Sequence, residues 1–194
     1  MTQEELHRIF TAPPTLKTER LLLRKIAVTD AEDMYAYSCR EDVTRYLLWD
    51  PHPDPIYTEK YVRYLQERYA VGDFYDFAVV LPTANKMIGT VGFTSFDLPN
   101  CSAEIGYVIS PEYQGNGYAT EAVREILRFG FVCCGLSRIS AVCMRENLTS
   151  LRVMEKCGLK REGLLRSAVY AKGRMQDVHL SAIIDQDFFN KAYT

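Results

Sequence analysis

The 194-residue chain has the length of one domain, and its 47% hydrophobic and 25% charged residues are ordinary for a globular protein. A formal net charge of −2 is too balanced to attract a polyanion, which makes nucleic acid a poor partner. No apolar run reaches the roughly 18 residues of a membrane span, and the amino-terminal segment lacks the apolar core of a secretory signal. We therefore expect one cytoplasmic domain over residues 1–194, with its core at about 16–187 and no membrane partner.

The cysteine and histidine patterns predict neither a disulfide framework nor a metal site. The six cysteines contain no C-x-x-C pair, and several interrupt apolar segments, as buried thiols do in a reducing compartment. The three histidines, His7, His52 and His179, are too scattered to change this interpretation. His179 lies in an apolar strand and is expected to be a satisfied core residue.

The first elements in chain order are a strand over residues 18–24 and a helix that is capped at Thr29-Asp30 and runs through Tyr37. The prolines of residues 49–55 exclude a helix there and predict a loop. Apolar and aromatic residues at helical spacing then predict a second helix over residues 57–69.

The rest of the chain predicts a meander of strands followed by alternating helices and strands. Three apolar runs with short turn sequences between them indicate antiparallel strands over residues 75–81, 87–93 and 103–109. The later elements are a helix from near Gly117, a strand over 138–144, a helix over 148–156 and strands over 164–170 and 178–184. The predicted order is β-α-α-β-β-β-α-β-α-β-β.

The segment V-I-S-P-E-Y-Q-G-N-G-Y-A-T-E-A, residues 108–122, carries a strand through a glycine-bearing loop into an amphipathic helix. Such an arrangement points unpaired backbone N–H groups at one spot and suits phosphate oxygens. The alternative is that Gly115 and Gly117 only form a tight turn. A dinucleotide fingerprint would need glycine or alanine where Thr120 stands, and the G-K-[ST] of a P-loop is absent from the sequence.

The same segment matches Q/R-x-x-G-x-G/A as Gln114-x-x-Gly117-x-Ala119, and so resembles the pyrophosphate loop of the GNAT acetyltransferases. Three further segments resemble the branch typified by ribosomal-protein N-terminal acetyltransferases (RimJ/RimL-like): T-E-R-L-L-L-R, E-N-L-T-S-L-R-V-M-E-K-C-G-L and G-R-M-Q-D-V-H-L-S, the last with Asp177. The matches run from about Thr18 to Asp185. Glutamine in place of arginine at Gln114 is the one departure.

This resemblance implies a three-layer α/β fold whose mixed, mainly antiparallel sheet is splayed between its fourth and fifth strands, with helices on both faces. It implies acetyl-CoA as co-substrate, with its pantetheine arm between the strands 103–109 and 138–144, and no metal. The implied cofactor-binding residues are Val108, Ile109, Gln114, Gly115, Asn116, Gly117, Tyr118, Ala119, Thr120, Asn147 and Ser150.

The implied reaction is attack of an amine on the thioester, with the oxyanion held by a backbone N–H near Tyr107 or Val108. Glu104 is the candidate general base, because it lies in the otherwise apolar A-E-I-G-Y strand, where we expect it to be buried next to the thioester. The alternative is an outward-facing or ion-paired glutamate. A covalent cysteine route is disfavoured, since no cysteine lies in an activating motif.

Asn147 and Ser150 stand three residues apart at a helix start and therefore share a face. The resemblance makes Asn147 a pantetheine ligand and Ser150 the catalytic proton donor to the departing thiolate. The alternative is an asparagine N-cap with a serine in the first helical turn, and the two roles can coexist.

The acceptor is predicted to lie under the first two helices. Residues there that could contact it, or could belong to the core, are Tyr35, Tyr37, Tyr46, Trp49 and Asp50. The leading acceptor is a protein or peptide N-terminus, and the second is a small amine such as a polyamine, amino acid or antibiotic. A non-catalytic CoA-binding module is the alternative from another functional class, and the chain is expected to be a monomer or a homodimer.

Overall fold

The computed structural model describes residues 1–191, in which eight strands form one sheet in the order β1-β2-β3-β4-β5-β6-β8-β7. The strands are β1 Leu16–Lys17, β2 Leu22–Arg24, β3 Asp76–Leu81, β4 Lys86–Asp97, β5 Ser102–Ile109, β6 Arg138–Met144, β7 Lys160–Ala171 and β8 Arg174–Ile184. The helices are α1 Gln3–Thr11, α2 Ala31–Ser38, α3 Glu41–Thr44, α4 Pro55–Ala70, α5 Tyr118–Arg128, α6 Leu148–Cys157 and α7 Asp185–Lys191. None of these helices is long and apolar enough to cross a membrane.

Helices cover both faces of the sheet, which confirms the predicted three layers. On one face α1, α5 and α6 pack against a core in which the Phe10 ring lies among the rings of Phe77, Phe93 and Phe129. On the other face α2 and α4 contribute the fully buried Tyr37 and Tyr69, together with other apolar side chains, to a second core cluster. The sheet therefore separates two independent cores.

The amino-terminal region differs from the prediction in two ways. The predicted strand 18–24 forms only over β2, because the Thr18 hydroxyl and amide both bond to Leu21 and turn the chain between β1 and β2. Helix α1, which precedes β1, was not predicted, although Thr2 and Glu5 form a capping box at the start of this helix. Helices α3 and α7 were also missed.

The predicted splay lies between β5 and β6, which are the fourth and fifth predicted strands. These two strands run parallel and pair only from Ser102 with Arg138 to Glu104 with Ser140. Beyond that point β5 still pairs with β4, and β6 still pairs with β8 as far as Met144. Because the strands diverge, an open slot is left along the second half of β5, and backbone groups there are available to a ligand.

Candidate functional site

The glycine-bearing loop after β5 has the backbone shape that the sequence predicted. Gly115 and Gly117 have φ values of +80° and +82°, a region that favours glycine, and Gly117 caps the start of α5. The first-turn N–H groups of Tyr118, Ala119 and Thr120 have no intrahelical acceptor by their position. The loop therefore presents a cluster of donors at a helix N-terminus, as an anion requires.

Side chains of the same loop hold its shape. The Gln114 side-chain amide donates to the Ile109 carbonyl at 2.8 Å, and the Asn116 amide donates to the Tyr113 carbonyl at 3.2 Å. These two predicted ligands thus use their side chains to hold the shape of the loop.

Arg20 supports the loop from the turn between β1 and β2, and sequence reasoning missed it. Its guanidinium donates to Glu121 at 2.7 Å and to the Asn116 carbonyl at 3.0 Å, and it stacks 4.7 Å from the Tyr118 ring centre. Burial alone would raise the pKa of Glu121, but hydrogen bonds from Thr18 and Arg20 lower it. No local sequence pattern could reveal this pair, which lies 101 residues apart.

Two hydroxyl groups meet inside the slot. The Tyr107 hydroxyl on β5 lies 2.8 Å from Ser150 Oγ and donates to the Ser150 carbonyl at 3.0 Å. Burial raises the pKa of Tyr107, although the bond to Ser150 opposes this. Burial also raises the pKa of the neighbouring Cys143. The sequence singled out only the backbone of Tyr107, so its hydroxyl is an addition to the site.

Asn147 is the N-cap of α6, as the structural alternative predicted. Its side-chain oxygen accepts from the Ser150 N–H at 3.1 Å. This bond uses only the side-chain oxygen of Asn147. Its side-chain nitrogen can therefore donate to a ligand while Asn147 caps the helix.

Glu104 lies at the mouth of the slot, in the last residue pair between β5 and β6. Alternation along β5 places it on the same face as Val108, which packs toward α2 and α4, and opposite to buried Ile109. The Thr94 hydroxyl donates to its carboxylate at 3.2 Å. The expectation that Glu104 is buried is wrong: it is partly exposed, because the strands begin to separate at this residue.

A cavity of about 370 Å³ lies on the α2 and α4 side of the sheet. Trp49, Asp50 and Tyr37 line it, as does buried His52, whose Nδ1 lies within hydrogen-bond distance of the hydroxyls of Ser38 and Thr58. Burial lowers the pKa of His52. The sequence did not indicate His52 as a cavity residue.

A second, more open groove of about 740 Å³ adjoins the cavity and shares Asp50 and Pro51 with it. Tyr46 lines this groove, whereas Tyr35 is not among the residues that line either space. The structure thus places Tyr37 and Trp49 at the cavity, Tyr46 at the groove and Tyr35 at neither.

Asp76, at the start of β3, also lines the cavity, and sequence reasoning missed it. The Tyr69 hydroxyl fixes its backbone by donating to the Asp76 carbonyl at 2.6 Å. Burial raises the pKa of the Asp76 carboxyl to about 7. A carboxyl in this state is a candidate functional group.

The cysteine and histidine patterns of the sequence predicted neither a disulfide nor a metal site. Within residues 1–191, no disulfide joins the cysteines and no group of three or more histidine, cysteine, aspartate or glutamate side chains could hold a metal ion. His179 is buried, as expected, but its Nδ1 has no hydrogen-bond partner in the described part of the chain, so the prediction of a satisfied histidine is wrong for that atom.

Comparison with known proteins shows similarity to acetyltransferases along most of the chain. Residues 20–160 match the family described as acetyltransferase (GNAT) domain. The chain is 33% identical over 174 residues to the uncharacterized N-acetyltransferase p20 of Bacillus licheniformis, covering 90% of this chain and 98% of p20. A GNAT-family acetyltransferase structure from Bacillus anthracis has a TM-score of 0.80 at 32% identity, covering 89% of this chain and 99% of that one.

Relatives with a named acceptor fall into two classes. The spermidine N(1)-acetyltransferase of Vibrio cholerae is 30% identical over 114 residues, covering 59% of this chain and 66% of that enzyme. The ribosomal-protein-S5-alanine acetyltransferase structure from Vibrio fischeri has a TM-score of 0.72 at 26% identity, covering 90% of this chain and 98% of that one. The similarity thus extends to enzymes with different acceptors, and on the family match the chain belongs to the GNAT acetyltransferases and is an enzyme of acetyl transfer.

Proposed function

We propose that residues 1–194 form a single N-acetyltransferase domain that moves an acetyl group from acetyl-CoA to a primary amine by direct attack. The observation that carries this proposal is the slot that opens where β5 and β6 stop pairing, after Glu104 and Ser140. The anion-binding loop follows the end of β5, and the cavity lies on the sheet face toward which Glu104 and Val108 point. A thioester in the slot would be within reach of an amine from that cavity.

Acetyl-CoA fits this arrangement as a substrate. Its pyrophosphate suits the backbone donors of residues 115–120, with Gln114 and Asn116 shaping the loop. Its pantetheine arm suits the open edge of β5 at Val108 and Ile109, where it can bond like an added strand. The Asn147 amide nitrogen supplies a further donor from the start of α6.

The proposed reaction needs one base and one acid. Glu104 takes a proton from the ammonium group and passes it to solvent, and the amine nitrogen then bonds to the thioester carbon. As the carbon–sulfur bond breaks, the nitrogen loses its second proton to Glu104 and becomes the amide nitrogen. The N–H of Tyr107 or Val108 holds the resulting oxyanion until the carbon–sulfur bond breaks. Ser150 gives its proton to the departing thiolate and recovers one from the Tyr107 hydroxyl, which lies 2.8 Å away and is resupplied by solvent.

We further propose a small primary amine as the acceptor, in preference to the protein or peptide N-terminus that the sequence favoured. The Lys172 ammonium group bonds to the Trp49 carbonyl at 2.5 Å and to the Asp50 carboxylate at 2.8 Å. This contact holds in place the Asp50–Pro51 segment that lines both spaces, and the cavity itself, at about 370 Å³, has room for a small amine. The spermidine-acetylating relative supports the small amine, and the ribosomal-protein relative and the RimJ/RimL-like motifs support the peptide.

The test is a thiol-release assay with acetyl-CoA, a panel of small primary amines and a panel of short peptides with free N-termini, with mass analysis of the products. We expect the products to be N-acetylated small amines, and we expect the KM for these amines to be lower than the KM for any of the peptides. Tertiary amines serve as negative controls, because they cannot form a stable amide. Tight acetyl-CoA binding without thiol release for any acceptor would instead support the non-catalytic CoA-binding module.

A further inference from the structure

Two carboxylates that the proposed reaction does not use line the cavity, and one of them, Asp50, is paired with Lys172. The other is Asp76. Asp76 is partly buried and lines the cavity. Within residues 1–191, its carboxylate has no hydrogen-bond donor and no basic side chain at ion-pair distance. Buried carboxylates are normally paired, because the loss of hydration is costly. The missing partner points to a ligand that brings a cation.

The walls of the cavity suit a cation with an apolar body. Among the residues that line it there is no lysine or arginine, and the aromatic side chains are Tyr37, Trp49, Tyr57, Tyr61 and Phe74. Ring faces attract ammonium groups, and a volume of about 370 Å³ is at the small end of the range for ligand sites. Three tyrosines interact electrostatically with Asp76: Tyr37 from α2, and Tyr61 and Tyr69 from α4. The other polar or titratable residues that line the cavity are Ser38, Asp50, His52, Tyr57 and Thr90.

Two glycines, one on β4 and one on β5, lie between Asp76 and the slot. Asp76 pairs with Gly92 on β4, and Gly92 pairs with Gly106 on β5. A side chain at Gly92 would place its Cβ 2.4 Å from Asp76 Oδ1, so the carboxylate lies over β4. At about 4.8 Å between neighbouring strands, the carboxylate is roughly one strand spacing from β5. An ammonium group bound there would lie beside the slot.

Resting on the proposed function, we propose that Asp76 binds the acceptor's ammonium group and selects a small primary amine with an apolar body. The amine nitrogen then lies between Asp76 and the edge of β5, and its proton leaves to Glu104 as described above. Asp76 remains a carboxylate throughout, and no bond to it forms or breaks.

The titration of Asp76 is consistent with this role. Burial raises its pKa to about 7, so that near neutral pH the unliganded carboxyl is divided between its two protonation states. A bound ammonium group favours the ionised form, because opposite charges in a poorly hydrated site attract strongly. Binding of an amine should therefore lower the pKa of Asp76, whereas a neutral ligand of the same shape should not.

The first experiment compares Asp76→Asn with the parent in acetyl transfer to benzylamine and n-butylamine. We expect the acceptor KM to rise about 10- to 100-fold, the range for loss of a hydrogen bond to a charged group, with the acetyl-CoA KM unchanged. The matched control is Asp73→Asn, which removes the same charge three residues away, where the carboxylate pairs with Arg68. An unchanged amine KM in Asp76→Asn, or an equal rise in the control, overturns the proposal for Asp76 and leaves the proposed function standing.

The second experiment needs neither turnover nor a folded variant. The carboxyl carbon of Asp76 is titrated by NMR in the parent protein with benzylamine, and then with benzyl alcohol as the neutral isostere. We expect benzylamine alone to lower the titration midpoint. Equal midpoints with both ligands would overturn the proposal, even if no amine is acetylated and the proposed function has failed.

Discussion

The Tyr107 hydroxyl and Ser150 Oγ lie 2.8 Å apart, joining the splayed strand β5 to the first turn of α6. The single Tyr107 O–H can turn from the Ser150 carbonyl to Ser150 Oγ, so a proton given up by Ser150 can be replaced by rotation of that hydroxyl alone. The pair thus forms a short relay at the place proposed for the leaving thiolate.

For Ser150→Ala we expect kcat to fall by less than about 10², because a thiolate is a tolerable leaving group that water can protonate. The defect should not shrink as pH rises. Tyr107→Phe should reproduce part of it, and Thr149→Ala, on the exposed neighbouring position of α6, should not. Full kcat in Ser150→Ala, measured by thiol release at saturating acetyl-CoA, would exclude Ser150 as the acid.

For Glu104→Gln we expect kcat/KM to fall by about 10² to 10⁴, because the ammonium group must then lose its proton unaided. Acetyl-CoA affinity should stay intact, and high pH should partly rescue the rate by supplying free amine. The control is Glu32→Gln on the exposed surface of α2. If the pH-rate profile of Glu104→Gln keeps the parent's rate and acidic limb, Glu104 is a structural residue.

Gly117→Val should weaken acetyl-CoA binding while the fold is retained. The added Cβ would meet an Arg20 nitrogen at 3.4 Å, and the φ value of +82° strains a β-branched residue by about 1 to 3 kcal/mol. Gly135→Val separates the two effects, because Gly135 has a φ value of +63° and open space around it. Calorimetric titration should show weaker binding only for Gly117→Val, and unchanged affinity would argue against a phosphate-binding loop.

Trp49→Ala should raise the acceptor KM more than the acetyl-CoA KM. Trp49 lines the cavity and is 37% exposed, so its removal opens the wall and costs little core packing. Tyr64→Ala removes a comparably exposed ring of α4 that does not line the cavity and should leave both constants unchanged. Equal changes in both constants for Trp49→Ala would identify the ring as a packing residue.

Asp76 should make the unliganded protein less stable as pH rises from about 4 to about 7. The ordinary pKa of an aspartate is 3.8, and the pKa of Asp76 in the folded protein is about 7. Between these two values the unfolded chain has already lost the proton and the folded state retains it, so the folded state loses stability as pH rises. At about 1.36 kcal/mol per pKa unit, the full penalty approaches about 4 kcal/mol.

Thermal unfolding of the parent and Asp76→Asn across that interval measures this effect, because titration of His52 is common to both proteins and cancels. We expect the stability of the parent relative to Asp76→Asn to decrease with rising pH and to level off above the folded pKa. Parallel curves would contradict the raised pKa.

Features whose determinants are contiguous in the chain could be predicted from the sequence. The turn at Gly115 and Gly117 and the cap at Asn147 depend on residues within a few positions, and both are found as predicted. The turn in the first half of the predicted first strand was missed, because the Thr18 hydroxyl bonds that turn the chain leave no turn composition in T-E-R-L.

Features that depend on strand register could not be predicted in this way. In the sequence, Asp76 looks like the polar start of an apolar strand. Only its alignment with Gly92 and Gly106 shows that two residues without side chains lie between it and the slot. The exposure of Glu104 likewise follows from the residue pair at which β5 and β6 separate, which no local pattern specifies.

The contact between Arg20 and Glu121 joins the turn between β1 and β2, at one edge of the sheet, to helix α5. The loop proposed for the pyrophosphate is shaped partly by the turn between β1 and β2, through hydrogen bonds from Thr18 and Arg20. A chain shortened at its amino end past Arg20 would keep every residue of that loop and lose the brace that shapes it. Under the proposed function, affinity for the nucleotide end of acetyl-CoA therefore depends on two separate segments of the chain, the loop and this turn.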